Sequence, residues 1–278
     1  MRVTKRDLAE MKGRGEKIAM ITAYDYVSAA FLEEAGVPII LVGDSLGQVV
    51  LGYDSTIPVT MDEMLHHIRP VVRGTQRAHV VGDMPFMSYQ ASADEAVRNA
   101  GRLLKEGGCQ SVKLEGGRRV AATVERIVNA GIPVMAHIGL TPQAVNQLGG
   151  YRVQGRSSVA AAELVEDARV LEEAGAYAVV LELVPGPLAG LITERVSIPT
   201  IGIGAGVHCD GQVQVFHDLF GLAIDFTPKH ARPYARLADS IKSAAAEYVA
   251  DVRSGSFPTD KQSFEMKESV LAEIAGKS

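Results

Sequence analysis

The chain has 278 residues, 47% of them hydrophobic, and a formal net charge of −5. That length suits one large α/β core of about 250 residues, while the mild acidity lacks the basic footprint of a nucleic-acid binder and the apolar runs fall short of the roughly 20 residues of a membrane span. The opening MRVTKRDLAEMKGRGEK has no apolar core of a signal peptide. Cys109 and Cys209 are the only cysteines, without CxxC or zinc spacing, which predicts reduced thiols in a cytoplasmic protein.

In chain order, β-type apolar runs predict strands over 18–24, 38–43, 78–83, 111–115, 132–137, 177–183, 198–203 and 212–217. Helices are expected between most of them. Segments 26–35, 118–130 and 158–174 each stop at a glycine, Gly36, Gly131 and Gly175. Thr60-Met-Asp-Glu63 and Ser92-Ala-Asp-Glu95 read as capping boxes. Pro70 predicts a kink or break in the first of these helices, and Gly107 and Gly108 a stop for the second, whose apolar stripe is Val97, Ala100 and Leu104. Ala205–Gly211 is too short for a crossover helix, so that unit is expected to be irregular. Tyr234–Val252 reads as the helix that closes the fold, with Leu237, Ile241 and Tyr248 on one side. Residues 1–257 then form one barrel domain with an N-terminal helical segment. Residues 258–278 form a polar tail with a short amphipathic helix, suited to packing on a neighbouring subunit.

Strands alternating with helices imply a parallel sheet, because each crossover returns the chain to the same edge. The predicted fold is a (β/α)8 TIM barrel, a single α/β domain, in which all strand ends share one face. Most of these ends are polar: Asp25, Asp44, Asp83, Glu115, His137 and Glu182. Side chains alternate along a strand, so Lys113 and Glu115 point into the barrel mouth while Val112 and Leu114 face the helices. The same parity turns Glu182 inward and Leu181 and Leu183 outward.

Asp44, Asp83 and Glu115 cannot sit together uncompensated, since two like charges about 4 Å apart repel by roughly 4 kcal/mol at an effective dielectric near 20. A cation or protons must intervene, and an oxygen-only ligand set suits Mg2+ better than zinc. The alternative for each acid is capping of the following helix. Ile201-Gly-Ile-Gly-Ala-Gly206 lacks the G-x-G-x-x-G spacing and reads as a tight turn. His137 could donate to a substrate oxygen or make a structural hydrogen bond, His217 and Asp218 follow the last strand, and His66 and His67 are expected on a solvated helix face.

Thr22-Ala-Tyr-Asp-Tyr26, Val42-Gly-Asp-Ser-Leu-Gly47, Val81-Gly-Asp-Met-Pro-Phe86, Val112-Lys-Leu-Glu-Gly116, His137-Ile-Gly-Leu-Thr-Pro142 with Gly149-Gly-Tyr151, Glu182, and Gly202-Ile-Gly-Ala-Gly206 before Asp210-Gly-Gln212 occur in one order. Together they resemble the 3-methyl-2-oxobutanoate hydroxymethyltransferase (ketopantoate hydroxymethyltransferase) family from about Thr4 to Phe257. The resemblance implies Mg2+, 5,10-methylenetetrahydrofolate as one-carbon co-substrate, a 2-oxo acid acceptor, and a homo-oligomer, commonly a decamer. It implies Asp44, Asp83 and Glu115 as metal ligands, Asp44, Ser45, Asp83 and Lys113 as substrate-binding residues, and Glu182 as proton acceptor.

The chemistry asks for the same inventory. Forming a C–C bond next to a ketone needs that carbon deprotonated and the enolate charge held by a Lewis acid. A Mg2+-dependent lyase or mutase would use similar acids but needs a reactive cysteine in a mobile loop, which Cys109 and Cys209 do not match. A non-catalytic ligand-binding barrel would have no use for the acids, Lys113 and Glu182 together.

Overall fold

A capping box at Thr4 starts α1 (Lys5–Gly13), which leads into β1 (Ile18–Thr22). Asp25 caps α2 (Tyr26–Glu34), its side chain accepting from the Ser28 N–H, and β2 (Ile39–Val42) follows. Beyond a short α3 (Leu46–Val49), Thr60 opens α4 (Met61–Arg73) with both arms of its capping box formed, before β3 (His79–Asp83). Ser92 caps α5 (Ala93–Arg102) by accepting the Glu95 N–H, and a π-helical turn (Leu103–Gly107) connects toward β4 (Ser111–Glu115). Next come α6 (Ala121–Asn129), β5 (Val134–Gly139), the short α7 (Val145–Leu148), α8 (Ser158–Glu173), β6 (Ala178–Glu182) and α9 (Gly186–Arg195). The series ends with β7 (Thr200–Ile203), β8 (Gly211–Gln214), α10 (Phe216–Leu219), α11 (Leu237–Ser254) and α12 (Glu268–Ala275). This computed structural model describes residues 1–276 apart from 224, 225 and 227. Lys277 and Ser278, the end of the expected tail, lie outside the described residues.

The strands close in sequence order into a parallel barrel, with β8 returning to β1. The (β/α)8 fold is therefore present, and every strand end faces one mouth. Inside the barrel, Met20, Ile39, Leu41, Val81, Met135, Val180, Ile201 and Val213 form one apolar cluster. Their neighbours on the strands, among them Val112, Leu114 and Leu181, belong to the larger cluster shared with the helices. Strand alternation has sorted the two layers.

Leu8 of α1 is fully buried against the inner cluster, so this helix plugs the bottom of the barrel. Lys12 fastens it there. Its ammonium donates to the carbonyls of Thr193, Val196 and Ile198 and to Asp210 Oδ2 at 2.9–3.1 Å. Arg2 donates to the carbonyls of Val72, Thr75 and Ala78 on another side of the same end. His79, at the start of β3, closes the bottom from within, its ring bonded to Val3 O at 3.0 Å and Ser111 Oγ at 2.8 Å.

Several elements depart from expectation. Gly36, Gly131 and Gly175 terminate their helices at φ 80, 86 and 93 as expected, but α4 runs through Pro70 without a break. Packing of Met64, Leu65, Ile68 and Val71, all buried, holds its last turn in place of the bond that proline cannot donate. The segment before β8 is a turn, as its length required, yet β8 itself stops at Gln214, and His217 lies in the first turn of a helix instead of ending a strand. His66 is exposed as expected, whereas His67 is half-buried and its ring donates to the Tyr24 carbonyl at 2.7 Å.

The largest difference is α11. It begins at Leu237, and no residue along it is buried; Leu237, Ile241 and Tyr248 are 38%, 58% and 57% exposed. This helix does not close the barrel of its own chain. The described part of the tail contains α12, likewise without a buried residue. No helix among the described residues is long and apolar enough to cross a membrane.

Candidate active site

Register assembles the site. Asp83 on β3 pairs laterally with Lys113 on β4, Glu115 with His137 on β5, and Gly139 with Glu182 on β6. Neighbouring strands lie about 4.8 Å apart, so Asp83 faces Lys113 and Glu115 faces His137 directly, while Glu182, opposite Gly139, reaches His137 diagonally. Lys113 Nζ stands 2.8 Å from Asp83 Oδ1 and 3.7 Å from Glu115 Oε1. His137 Nδ1 lies 3.6 Å from Glu115 Oε1, and its Nε2 3.2 Å from Glu182 Oε2. Asp44, just past β2, joins through its main-chain N–H, which donates to Asp83 Oδ2 at 3.2 Å.

Asp44, Ser45, Asp83, Lys113, Glu115, His137 and Glu182 all line one cavity of about 620 Å³ at the mouth, together with His217 and Asp218. Asp25 does not join them, since it serves as the α2 cap. Ser45 is held by a 2.8 Å contact between its hydroxyl and that of Tyr24. A second cavity of about 1060 Å³ adjoins the first through Glu115.

Burial dominates the electrostatics. Asp83, Lys113, Glu115 and His137 are each at most 5% exposed. Burial and the neighbouring Asp44 charge push the Asp83 carboxyl up to about 7, against the pull of Lys113. Glu115 is driven well above the carboxylate range, again first by burial. For Lys113 burial works against the charge, but Asp83, Glu115 and Asp44 together outweigh it and hold the ammonium above its usual value. Burial and the Lys113 charge lower His137, so its imidazole is neutral at pH 7. One lysine does not neutralise this group of acids, and without a further cation it takes up protons.

The donor set fits a hard divalent ion. Although Lys113 approaches Asp83 Oδ1, it does so off hydrogen-bond geometry, and this buried oxygen has no hydrogen-bond partner. Among the described residues no three His, Cys, Asp or Glu side chains form a ready-made ion cage. Mg2+ does not need one, because it commonly takes one or two carboxylates and fills its other positions with water and substrate.

Backbone geometry at the end of β6 is tightly determined. A Cβ at Gly139 would sit 2.3 Å from the Glu182 carbonyl, and the residue has φ 93, so only glycine lets β5 and β6 meet here. Leu183 adopts φ 46 directly after Glu182, a costly conformation for a branched side chain. Bonds from Leu183 N–H to Ile203 O and from Gln154 N–H to Leu183 O, both 2.9 Å, hold it.

Residue-type reasoning does not single out three of the site's parts. Tyr24 supports Ser45, while Tyr89 and Gln143 brace the acids from the β3 and β5 loops. Gln143 immediately follows the motif ending at Pro142, but nothing in a Pro-Gln pair marks it as a buried bridge.

The family model for ketopantoate hydroxymethyltransferase matches residues 2–260. The chain belongs to the ketopantoate hydroxymethyltransferase family. It is 58% identical over 274 residues to the 3-methyl-2-oxobutanoate hydroxymethyltransferase of Dehalococcoides mccartyi strain CBDB1, covering 99% of this chain and 98% of that protein. The protein of the same name from Carboxydothermus hydrogenoformans is 60% identical over 273 residues, 98% of this chain and 99% of the relative. Among solved structures, phosphonopyruvate hydrolase with oxalate and Mg++ superposes with a TM-score of 0.61 at 14% identity, over 100% of this chain and 96% of that one. For 2,3-dimethylmalate lyase, of the PEP mutase/isocitrate lyase superfamily, the TM-score is 0.56 at 16% identity, with the same coverage. At these identities the structural matches establish the barrel fold alone.

Proposed function

We propose that the chain transfers a hydroxymethyl group from 5,10-methylenetetrahydrofolate to 3-methyl-2-oxobutanoate, giving 2-dehydropantoate on the route to pantothenate. The observation that carries this reading is the row Asp83–Lys113 and Glu115–His137–Glu182, laid across four adjacent strands at the floor of one cavity. The name borne by relatives near 60% identity supports it.

Lys113 and the main-chain N–H groups around Ser45 bind the substrate carboxylate. Glu182, 15% exposed at its side chain, takes the proton from C3 of the oxo acid. His137, neutral and 3.2 Å from Glu182, has both ring nitrogens buried without a hydrogen-bond partner, and presents an N–H to a substrate oxygen. Asp44, Asp83 and Glu115 would hold Mg2+. When bound, the ion supplies Lewis-acid charge for the developing enolate. Water opens the methylene bridge of the folate, breaking both C–N bonds to give tetrahydrofolate and formaldehyde; the enolate carbon adds to the formaldehyde, and the alkoxide takes a proton to become the new hydroxyl.

A lyase mechanism with a cysteine acid has no support in the site. Both thiols are buried, and burial pushes Cys109 up to about 12. Reduced thiols of this kind accord with a cytoplasmic setting. A homo-oligomer belongs to the same proposal, because α11 leaves Leu237, Ile241, Tyr248, Val249 and Val252 exposed.

Product formation from the two substrates, with and without a chelator, tests the reading. Turnover that survives removal of all divalent metal removes the Mg2+ role; absence of 2-dehydropantoate under any metal condition removes the activity.

A further inference from the structure

Gln143 sits in the turn after β5 (Pro142–Ala144), 4% exposed, with every hydrogen-bonding position of its side chain in use. Its Nε2 donates to Asp44 Oδ2 at 2.8 Å and to the Met84 carbonyl at 2.9 Å. Its Oε1 accepts from the Tyr89 hydroxyl at 2.7 Å and from Gln90 Nε2 at 3.2 Å. The main-chain N–H donates to Glu115 Oε2 at 3.1 Å. An amide turned end for end would set its oxygen against the Met84 carbonyl and its nitrogen against the Gln90 donor, so one orientation is fixed.

Both acids are thus engaged through one oxygen only. Asp44 keeps Oδ1, and Glu115 keeps Oε1, the oxygen that faces Lys113 and His137. A carboxylate restrained at one oxygen becomes a directed donor with the other, and ligand orientation of this kind sets metal affinity. The residue type matters as well. Lysine here would add a cation that competes with a metal, glutamate would add a further negative charge to a crowded group, and a neutral amide does neither.

We infer that Gln143 is the positioning residue that decides which oxygen of Asp44 and of Glu115 is presented to a divalent cation, and thereby sets the affinity of the site for that cation. This rests on the magnesium reading above and extends it from the acids to the loop that aims them. Tyr89 acts one step further out, by holding the amide oxygen; its hydroxyl also accepts the Glu115 N–H at 3.1 Å.

Titration of Mn2+ into the substrate-free protein, followed by the electron-paramagnetic-resonance signal of the free ion, tests this without relying on turnover. Gln143→Met keeps the length and the main-chain N–H on Glu115 but removes the side-chain donor that holds Asp44; it should weaken Mn2+ binding about 10- to 100-fold. Tyr89→Phe, which leaves Gln143 in place and removes one of the two donors to its oxygen, should weaken binding a few-fold. Unchanged affinity in both variants, with wild-type binding intact and only the melting temperature lowered, would make Gln143 a purely structural residue and overturn the inference. If Gln143→Met does not fold, Tyr89→Phe decides alone: weakened binding upholds the role and unchanged binding overturns it. A wild-type protein that binds no Mn2+ overturns the magnesium reading itself, and this inference with it.

Discussion

Asp44 and Asp83, 39 residues apart, are joined by a buried hydrogen bond from the Asp44 main-chain N–H to Asp83 Oδ2. With Lys113 at its other oxygen, Asp83 is the junction through which the β2, β3 and β4 strand ends share charge. Removing Asp44 or Lys113 changes the charge that the Asp83 carboxyl meets.

Lys113→Met should therefore destabilise the metal-free protein more than Asp83→Asn does. Losing the lysine removes the cation that Asp83 and Glu115 share, and breaking a buried pair of this kind costs about 3–5 kcal/mol. Losing Asp83 still leaves Glu115 to pair with the ammonium at 3.7 Å. The pH dependence has a definite sign. Asp83 and Glu115 have raised folded-state values, so the folded chain holds protons that the unfolded chain releases, and their contribution improves as pH falls from about 7 toward the unfolded value near 4. Urea unfolding in chelator at pH 7.5 and 5.5 should show the Lys113→Met deficit shrinking at the lower pH. A deficit that grows on acidification contradicts the protonation scheme.

Glu182→Gln retains shape and removes the carboxylate proposed as proton acceptor, and should slow deprotonation of the oxo acid by about 10²-fold or more. In D2O with Mg2+ and 3-methyl-2-oxobutanoate but no folate, wild type should exchange the C3 proton and the variant should lag while still binding the oxo acid. Undiminished exchange would move the base to His137, 3.2 Å away.

At the other end of the barrel, burial lowers the value of His79 below its usual 6.5. The folded state keeps this ring neutral, against Val3 O, Ser111 and Tyr177 with Arg2 nearby, whereas the unfolded chain protonates it. Its contribution is whole above about pH 6.5 and declines as the medium becomes more acidic, with a slope of at most about 1.4 kcal/mol for each pH unit. The stability advantage of wild type over His79→Gln should narrow between pH 7.5 and 5.5. A constant difference across that range rules the linkage out.

Light scattering on a sizing column should find wild type as an assembly of several copies, and Ile241→Glu combined with Tyr248→Glu should reduce its mass. Neither position is buried within the chain, so the circular dichroism of the variant should match wild type. A monomeric wild type removes the oligomer from the proposal.

The barrel is legible in the sequence because its signals are local: strand ends on polar residues, caps at Thr60 and Ser92, and glycine stops after α2, α6 and α8. Parity alone turns Lys113, Glu115 and Glu182 inward, and register then brings their strands side by side. The remainder depends on distance in the chain. Gln143 meets Asp44 across 99 residues and Glu115 across 28, and no spacing rule links them. The α11 face is amphipathic by pattern, but which surface covers it is not a property of the helix. Pro70 misleads for a related reason, since contacts from other elements outweigh its local preference.

Lys12 and Asp210 are separated by 198 residues, and Lys12 and Thr193 by 181. Residues 2–13 therefore emerge from the ribosome long before much of the surface they plug exists. Until residues 193–210 are made Lys12 lacks its acceptors, and until β8 is made β1 lacks a neighbour on one edge. Loop closure over such spans is slow, so the base of this barrel is sealed late in its assembly, by some of the residues synthesised earliest.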